Sequence, residues 1–394
     1  MAVLKLGYNN LGDEGTTTIA TSFAQEGRFH RGLSVLDLGF NSIGDEGATA
    51  LALHVVAGNH SLKTLFLSGN NIGEKGAVAL AGAILHGCSL NCLHLSANKL
   101  GAVGLKVIAG AVAEAEARRL QLLQRRGGII LSVYQPVGLE ELHLKDISMG
   151  PQGFLSLPTM LLSNASLKLL CLSNNDIDDR DMALFSQAIS QNKSIPLVSL
   201  RLSFNKITCV GVECLMNAIW GSQTLREIKL DNNRIQDRGA QLCSVVLGAV
   251  QLEVLDLGFN QVSTVGIKAI MKSLSENDTL RSLSMAGIPM DQNASKAVSY
   301  ALAYNSSLQS LSVDSCSVGY SGQRHIVAGI VSNRKVQLRS FTGFPLGRKC
   351  ARYRPGLESM TDANVTNFIC SMLQRSRKLL VFPNFQKIGG IIEF

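Results

Sequence analysis

Leu33-Ser-Val-Leu36-Asp-Leu38-Gly-Phe-Asn41 runs directly into Ser-Ile43-Gly-Asp-Glu-Gly47. Leu62-Lys-Thr-Leu65-Phe-Leu67-Ser-Gly-Asn70 then runs into Asn-Ile72-Gly-Glu-Lys-Gly76. The LxxLxLxxN frame returns at Leu90, Leu139, Leu167, Leu197, Leu225 (with Ile228), Leu252, Leu280 and Leu308. Met1-Ala-Val-Leu4-Lys-Leu6-Gly-Tyr-Asn9 opens the series in mid-frame, and a degenerate copy starts at Leu338. Steps are mostly 27 to 30 residues, giving eleven clear copies and one broken one. Self-similarity at a fixed period is the signature of a stacked repeat.

Each part of the copy has a physical task. The LxL alternation predicts a short strand with one buried face. The Asn side chain can bond backbone groups in the turn that follows, where donors would otherwise go unpaired. The Ala-rich run after each Gly, such as Ala48-Thr-Ala50-Leu51, has helical spacing. One copy cannot bury its leucines alone, but a stack can. Strands stack about 4.8 Å apart, and helices need roughly 10 Å. The predicted fold is therefore α/β: a right-handed horseshoe solenoid with a parallel inner sheet and outer helices. The array is expected over residues 1–337, with an insertion at about 112–137. Residues 338–394 read as a degenerate last repeat and a basic helical cap. Opening inside a strand leaves the first repeat to fray, or marks the chain as a piece of something longer.

At this point the ~28-residue steps and the NxIGDEGAxAL phrases resemble the ribonuclease-inhibitor type of leucine-rich repeat. That subfamily includes ribonuclease inhibitor, the sensor ends of NOD-like receptors and the Ran GTPase-activating proteins. The likeness covers residues 1 to about 340. It implies the horseshoe and a binding role, but one fold carries unrelated tasks. In the Ran type an Arg on an early inner strand is central and an acidic tail follows. Here Asp37 and Phe66 stand at the matching strand positions, Arg201 comes only in the seventh copy, and the tail is basic. A NOD-like receptor would need an upstream P-loop, and this sequence has none.

Composition narrows the function classes. Apolar residues make up 46% and charged residues 17%, which excludes a disordered chain. No apolar run is long enough to span a membrane, and no secretory leader opens the sequence. From Cys316 to Phe394 there are 12 Lys and Arg against 3 Asp and Glu, so the whole net charge of +8 lies in that last fifth. No aromatic interleaving accompanies it, so a nucleic-acid partner is disfavoured. The nine cysteines are scattered, without any CxxC, and read as reduced thiols of a cytoplasmic protein, with the nucleus as the alternative. Seven Asn-x-Ser/Thr sequons occur; five (Asn59, Asn164, Asn192, Asn277 and Asn305) sit just ahead of a strand, where the repeat itself explains them. Asn277 is taken here as an exposed turn residue.

The step from Leu90 to Leu139 is 49 residues, about 21 more than usual. The extra sequence from Ala113 to Arg126 favours helix, and Gly127-Gly128 would end it. It reads as a recognition element, a tolerated insertion, a decayed repeat or a gene-model error. No phosphate-binding, hydrolase or metalloprotease motif is present, so no enzyme, cofactor, resident metal or small-molecule substrate is expected.

What remains is the inner strand face, expected to bind a protein partner. One column holds Asp37, Phe66, His94, His143, Arg201, Lys229 and Asp256; the position before the ladder Asn adds Tyr8, Phe40, Phe204 and Phe259. Aromatics beside charges on a rigid surface are what interface hot spots look like. The same phenylalanines, in near-identical GFN and SFN contexts, also suit stacking over the turn. His94 and His143 fall at equivalent positions with Cys92 and Cys171 near, a grouping with zinc-ligand chemistry provided the insertion does not separate their strands.

Overall fold

The computed structural model describes residues 2–26, 32–125, 138–192, 194–333 and 338–343. The expected cap beyond residue 343 and the end of the insertion, 126–137, lie outside them. The chain forms two compact units, Met1–Asn205 and Lys206–Phe394.

In the first unit seven strands follow one another in chain order, every neighbouring pair parallel: β1 (Ala2–Lys5), β2 (Leu33–Asp37), β3 (Thr64–Phe66), β4 (Cys92–His94), β5 (Glu141–His143), β6 (Leu169–Cys171) and β7 (Ser199–Arg201). The connections carry α1 (Gly12–Glu26), α2 (Asp45–Leu51, running on as a π-helical turn to Val56), α3 (Glu74–Leu85), α4 (Gly101–Arg125), α5 (Gly150–Phe154), α6 (Ser156–Ser163) and α7 (Asp179–Gln191). The second unit repeats the plan with β8 (Glu227–Lys229), β9 (Val254–Asp256), β10 (Ser282–Ser284), β11 (Ser310–Ser312) and β12 (Ser340–Thr342), and with α8 (Cys209–Ile219), α9 (Asp237–Val246), α10 (Thr264–Glu276), α11 (Gln292–Tyr304) and α12 (Tyr320–Ser332). Most strands centre on the second leucine of the frame, which points to the helices and is fully buried, as at Leu36, Leu65, Leu93 and Leu142, while its flanking residues face the other way; Ile228 and Phe341 take that place in β8 and β12. The degenerate copy at Leu338 still supplies β12, paired to β11.

Three sets of bonds tie each repeat to the next. Asn70 donates its amide to the Leu38 and Leu67 carbonyls, and its Oδ1 accepts the Asn41 and Ile43 N–H groups at 2.9 and 3.0 Å. Asn205 repeats this toward Leu172, Leu202, Asn175 and Ile177. The ladder is not unbroken: Ile147 and Ile288 occupy the Asn position in two copies, and at Cys316 a thiol donates to the Met285 carbonyl instead.

The second set lies at the far end of the repeat. Asn305 donates to the Leu274 and Asn277 carbonyls and accepts from the Ser307 and Leu308 N–H groups. Asn277 does the same work: it donates to the Leu247 carbonyl at 2.7 Å and accepts from Thr279 and Leu280, so it is a half-buried structural residue and not the exposed one expected. The sequons at Asn59, Asn164 and Asn305 are buried, which leaves no room for a glycan.

The third set starts three of the outer helices, α2, α3 and α10, from the preceding repeat. Asp13 Oδ1 accepts the Gly44 and Gly47 N–H groups, Asp45 Oδ1 those of Gly73 and Gly76, and Asp237 Oδ1 those of Ser263 and Gly266. A carboxylate at a helix N-terminus meets both the orphan donors and the positive end of the dipole. Gly76 is required there, since a Cβ would lie 2.8 Å from Ile72 Cγ2 and 2.9 Å from Asp45 Oδ1.

The described part of the insertion extends α4, which runs 25 residues to Arg125. Glu116, 2% exposed, turns inward from it. Its carboxylate accepts the Ala165 N–H and the Ser166 hydroxyl, both at 3.2 Å, and pairs with Arg119.

Candidate functional site

The strand face turned away from the helices places the column residues of the first unit in register. Asp37 stands opposite Phe66, Phe66 opposite His94, His94 opposite His143, His143 opposite Cys171, and Cys171 opposite Arg201. The insertion does not separate β4 from β5; they pair directly. Residues two apart on a strand share a face, so Cys92 lies beside His94 and Glu141 beside His143, with Cys92 opposite Glu141.

These four side chains converge. Their donor atoms all lie within 4.8 Å of one another. Cys92 Sγ is 3.1 Å from His94 Nε2 and 3.4 Å from Glu141 Oε2. His143 Nε2 is 3.5 Å from Glu141 Oε2, outside hydrogen-bond geometry, and has no other partner although it is buried. The imidazoles stack with centroids 3.8 Å apart, and Phe66 stacks on the other face of His94 at 4.2 Å. Cys171 is not part of the group; its thiol turns to the Ser173 hydroxyl at 3.7 Å. Glu141 was missing from the sequence-based set. Its signal was available: it precedes the second Leu of its copy, two residues before His143.

Burial holds the two imidazoles and the Cys92 thiol in their neutral forms. Burial, then the neighbouring His143, push the His94 imidazole down to about 4. Burial also lowers His143. Burial and the Glu141 carboxylate push the Cys92 thiol up to about 12. A nucleophilic cysteine needs the reverse, a depressed thiol beside a cation, so the Cys92–His94 contact is not an activated catalytic pair.

The residues before the ladder position behave as a second column. Tyr8, Phe40, Ala97, Asp146, Asn174, Phe204, Asn232, Phe259 and Ser315 all have φ between 52° and 60°, and Gly69 and Gly287 have 72° and 71°. In most copies this left-handed turn lets the residue's N–H reach the next repeat, as Phe40 does to the Ser68 carbonyl at 2.9 Å. Phe40 and Phe259 lie flat over Gly69 and Gly287, where a Cβ would stand 2.4 and 2.3 Å from the ring. About half of each of these residues stays exposed. Tyr8 stacks on Phe40 with centroids 4.5 Å apart, and the Lys145 ammonium is 6.0 Å from the Phe204 ring centroid. Phe40 and Phe259 thus pack over the turn with one face, and Tyr8 also stacks on Phe40.

Asp37 and Asp256, both in DLGFN, each accept the N–H two residues on, from Gly39 and Gly258. Burial raises the Asp256 carboxyl above its usual range. Lys229 contacts Glu227 on its own strand at 3.5 Å. Phe66, His94, His143 and Arg201 are therefore grouped in the first unit, while Lys229, Asp256 and Phe259 belong to the second.

Comparison with known proteins agrees with this architecture. A model of the leucine-rich repeat matches residues 2–20, 32–52, 58–81, 86–109, 193–216, 221–242 and 251–271. The chain carries leucine-rich repeats and is similar to ribonuclease inhibitor and to NACHT, LRR and PYD domains-containing proteins. Pig ribonuclease inhibitor is 26% identical over 248 residues, covering 60% of this chain and 54% of its own length. Human NACHT, LRR and PYD domains-containing protein 5 is 28% identical over 160 residues, 40% of this chain and 13% of its own. The chain thus spans about half the length of the first relative and much less of the second. Among solved structures, the yeast complex of Rad7 and Elc1 matches with a TM-score of 0.50 at 16% identity, covering 88% of each chain, a likeness of fold alone. Among the described residues no helix is long and apolar enough to cross a membrane.

Proposed function

We propose that this protein is a non-enzymatic binding scaffold that holds a protein partner against the open strand face. One observation carries the reading. In-register positions of the first unit's sheet present Asp37, Phe66, His94, His143 and Arg201 side by side, while the backbone beneath is the same in every repeat. Varied side chains on a fixed backbone are where recognition can be specified. Tyr8 and Phe40 extend the surface with a stacked aromatic pair. In the second unit Lys229, Asp256 and Phe259 offer the same mix of charge and aromatic surface. Pig ribonuclease inhibitor, which this chain resembles, carries a protein target in its name.

The test compares two faces. A partner captured from a lysate and identified by mass spectrometry is measured against Arg201→Glu and against the helix-side pair Lys75→Glu with Lys106→Glu, both exposed on α3 and α4. The expected result is a several-fold or greater loss for Arg201→Glu, because reversing a charge at an interface slows association, and no loss for the helix-side pair. Binding destroyed only by the helix-side pair would overturn the proposal.

A further inference from the structure

We propose that Cys92, His94, Glu141 and His143 form a four-donor zinc site on the open strand face of the first unit. This goes beyond a binding scaffold and departs from the expectation of no resident metal. The donor set is one sulfur, two imidazole nitrogens and one carboxylate oxygen, the ligand types that zinc takes. The spacing fits as well. With zinc–ligand bonds of about 2.0–2.3 Å, tetrahedral donors stand roughly 3.3–3.8 Å apart. Three of the pairs here stand at 3.1, 3.4 and 3.5 Å before any adjustment.

The site is built by the sheet rather than by a loop. Cys-x-His on β4 and Glu-x-His on β5 put two donors on each of two hydrogen-bonded strands, locked in register by the Leu93–Leu142 pairing beneath them. Buried strands hold donors more precisely than loops. Several features agree with this. His143 Nε2 is a buried nitrogen with no hydrogen bond, and a metal ion would supply the partner. Phe66 packs on His94 and fixes its ring plane. Binding exchanges one proton: the Cys92 thiol loses its proton to solvent as the sulfur–zinc bond forms, and the thiolate it leaves is stabilised by the ion that the Glu141 carboxylate also neutralises.

The location gives such an ion a task. β4 and β5 are consecutive strands whose connection is the long one, 49 residues between equivalent leucines. An ion across them would clamp the repeats on either side of the insertion. Anything that binds the folded state alone raises its stability by mass action.

The experiment uses the full chain, stripped of metal with a chelator and checked for folding by circular dichroism. Zinc is titrated against a chromophoric chelator, and cobalt is then substituted to read geometry. The expected result is one zinc per chain, a sulfur-to-cobalt charge-transfer band, tetrahedral visible bands, and a zinc-dependent rise in melting temperature. Cys92→Ser should remove the charge-transfer band, and both it and His143→Gln should weaken zinc by more than about tenfold, at least the loss seen when an outer-shell partner is removed. Cys171→Ser, the neighbouring thiol that does not join the group, should leave affinity and spectrum unchanged. Failure to take up zinc, or uptake that Cys92→Ser and His143→Gln leave intact, would overturn the proposal. The readout needs no partner protein, so its failure is separate from failure of the binding-scaffold reading.

Discussion

Asparagine ties both ends of the repeat in most copies, yet the two ends differ in how they use it. At the strand end, Asn41, Asn70, Asn98, Asn175, Asn205, Asn233 and Asn260 sit inside the leucine frame and bond the turns of adjacent copies. At the helix end, Asn192, Asn277, Asn305 and Asn333 close the helix before the strand and reach back to carbonyls of the preceding copy. The strand-end asparagine replaces sheet bonds that stop with the strand. The helix-end asparagine caps carbonyls that the last helical turn leaves unpaired. The phrase Asn-x-Ser/Thr-Leu, at Asn59, Asn164, Asn277 and Asn305, resembles a glycan acceptor but is a capping motif: its Oδ1 accepts the N–H groups two and three residues on.

The comparison can be broken by substitution. Asn205→Ala should be the most damaging change, because it strands backbone groups of two adjacent copies within the first unit. With unpaired buried groups costing about 1–3 kcal/mol each, a loss near ~3 kcal/mol is expected in denaturant melts. Asn305→Ala should follow at about 2 kcal/mol; a loss near zero would show that the helix-end set is decorative. Asn277→Ala, half-buried, should cost about 1 kcal/mol. Asn9→Ala should be nearly silent, since that exposed amide donates only within its own turn, to Leu6 and Gly7. The smallest expected effect has the opposite sign. Ala97 is held at φ 54°, which costs an L-residue about 1–2 kcal/mol. Ala97→Gly should therefore stabilise slightly, by about 0.5 kcal/mol after the extra chain entropy of glycine. A loss on Ala97→Gly would mean that its methyl group packs more than the strain costs.

Much of this architecture is legible in the leucines. The repeating frame marks every strand, because one apolar residue, usually Leu, flanked by outward residues makes up most of each short element, with Ile228 and Phe341 as the exceptions. The turn column was not legible. Left-handed positions are usually flagged by Gly, Asn or Asp, whereas Tyr8, Phe40, Ala97 and Phe259 give no such flag; there the next repeat's carbonyl dictates the backbone. Asn277 was misread for a related reason, as its partners are distant in sequence. The His94–His143 pair followed from the column alone. Adding Glu141 and removing Cys171 required the register and the side-chain directions.

The long step between β4 and β5 has a consequence for how the chain reaches this state. In a stacked array each copy touches only its neighbours, so ordering can begin at several places and spread. Closing a 49-residue connection in place of a 28-residue one adds only about 0.5 kcal/mol of chain entropy, because the cost grows with the logarithm of length. That amounts to roughly a twofold delay for the segment spanning it. A parallel sheet built one strand at a time can thus accept an extra 21 residues at one joint with little kinetic consequence, and the joint becomes the natural place for growth from either side to meet.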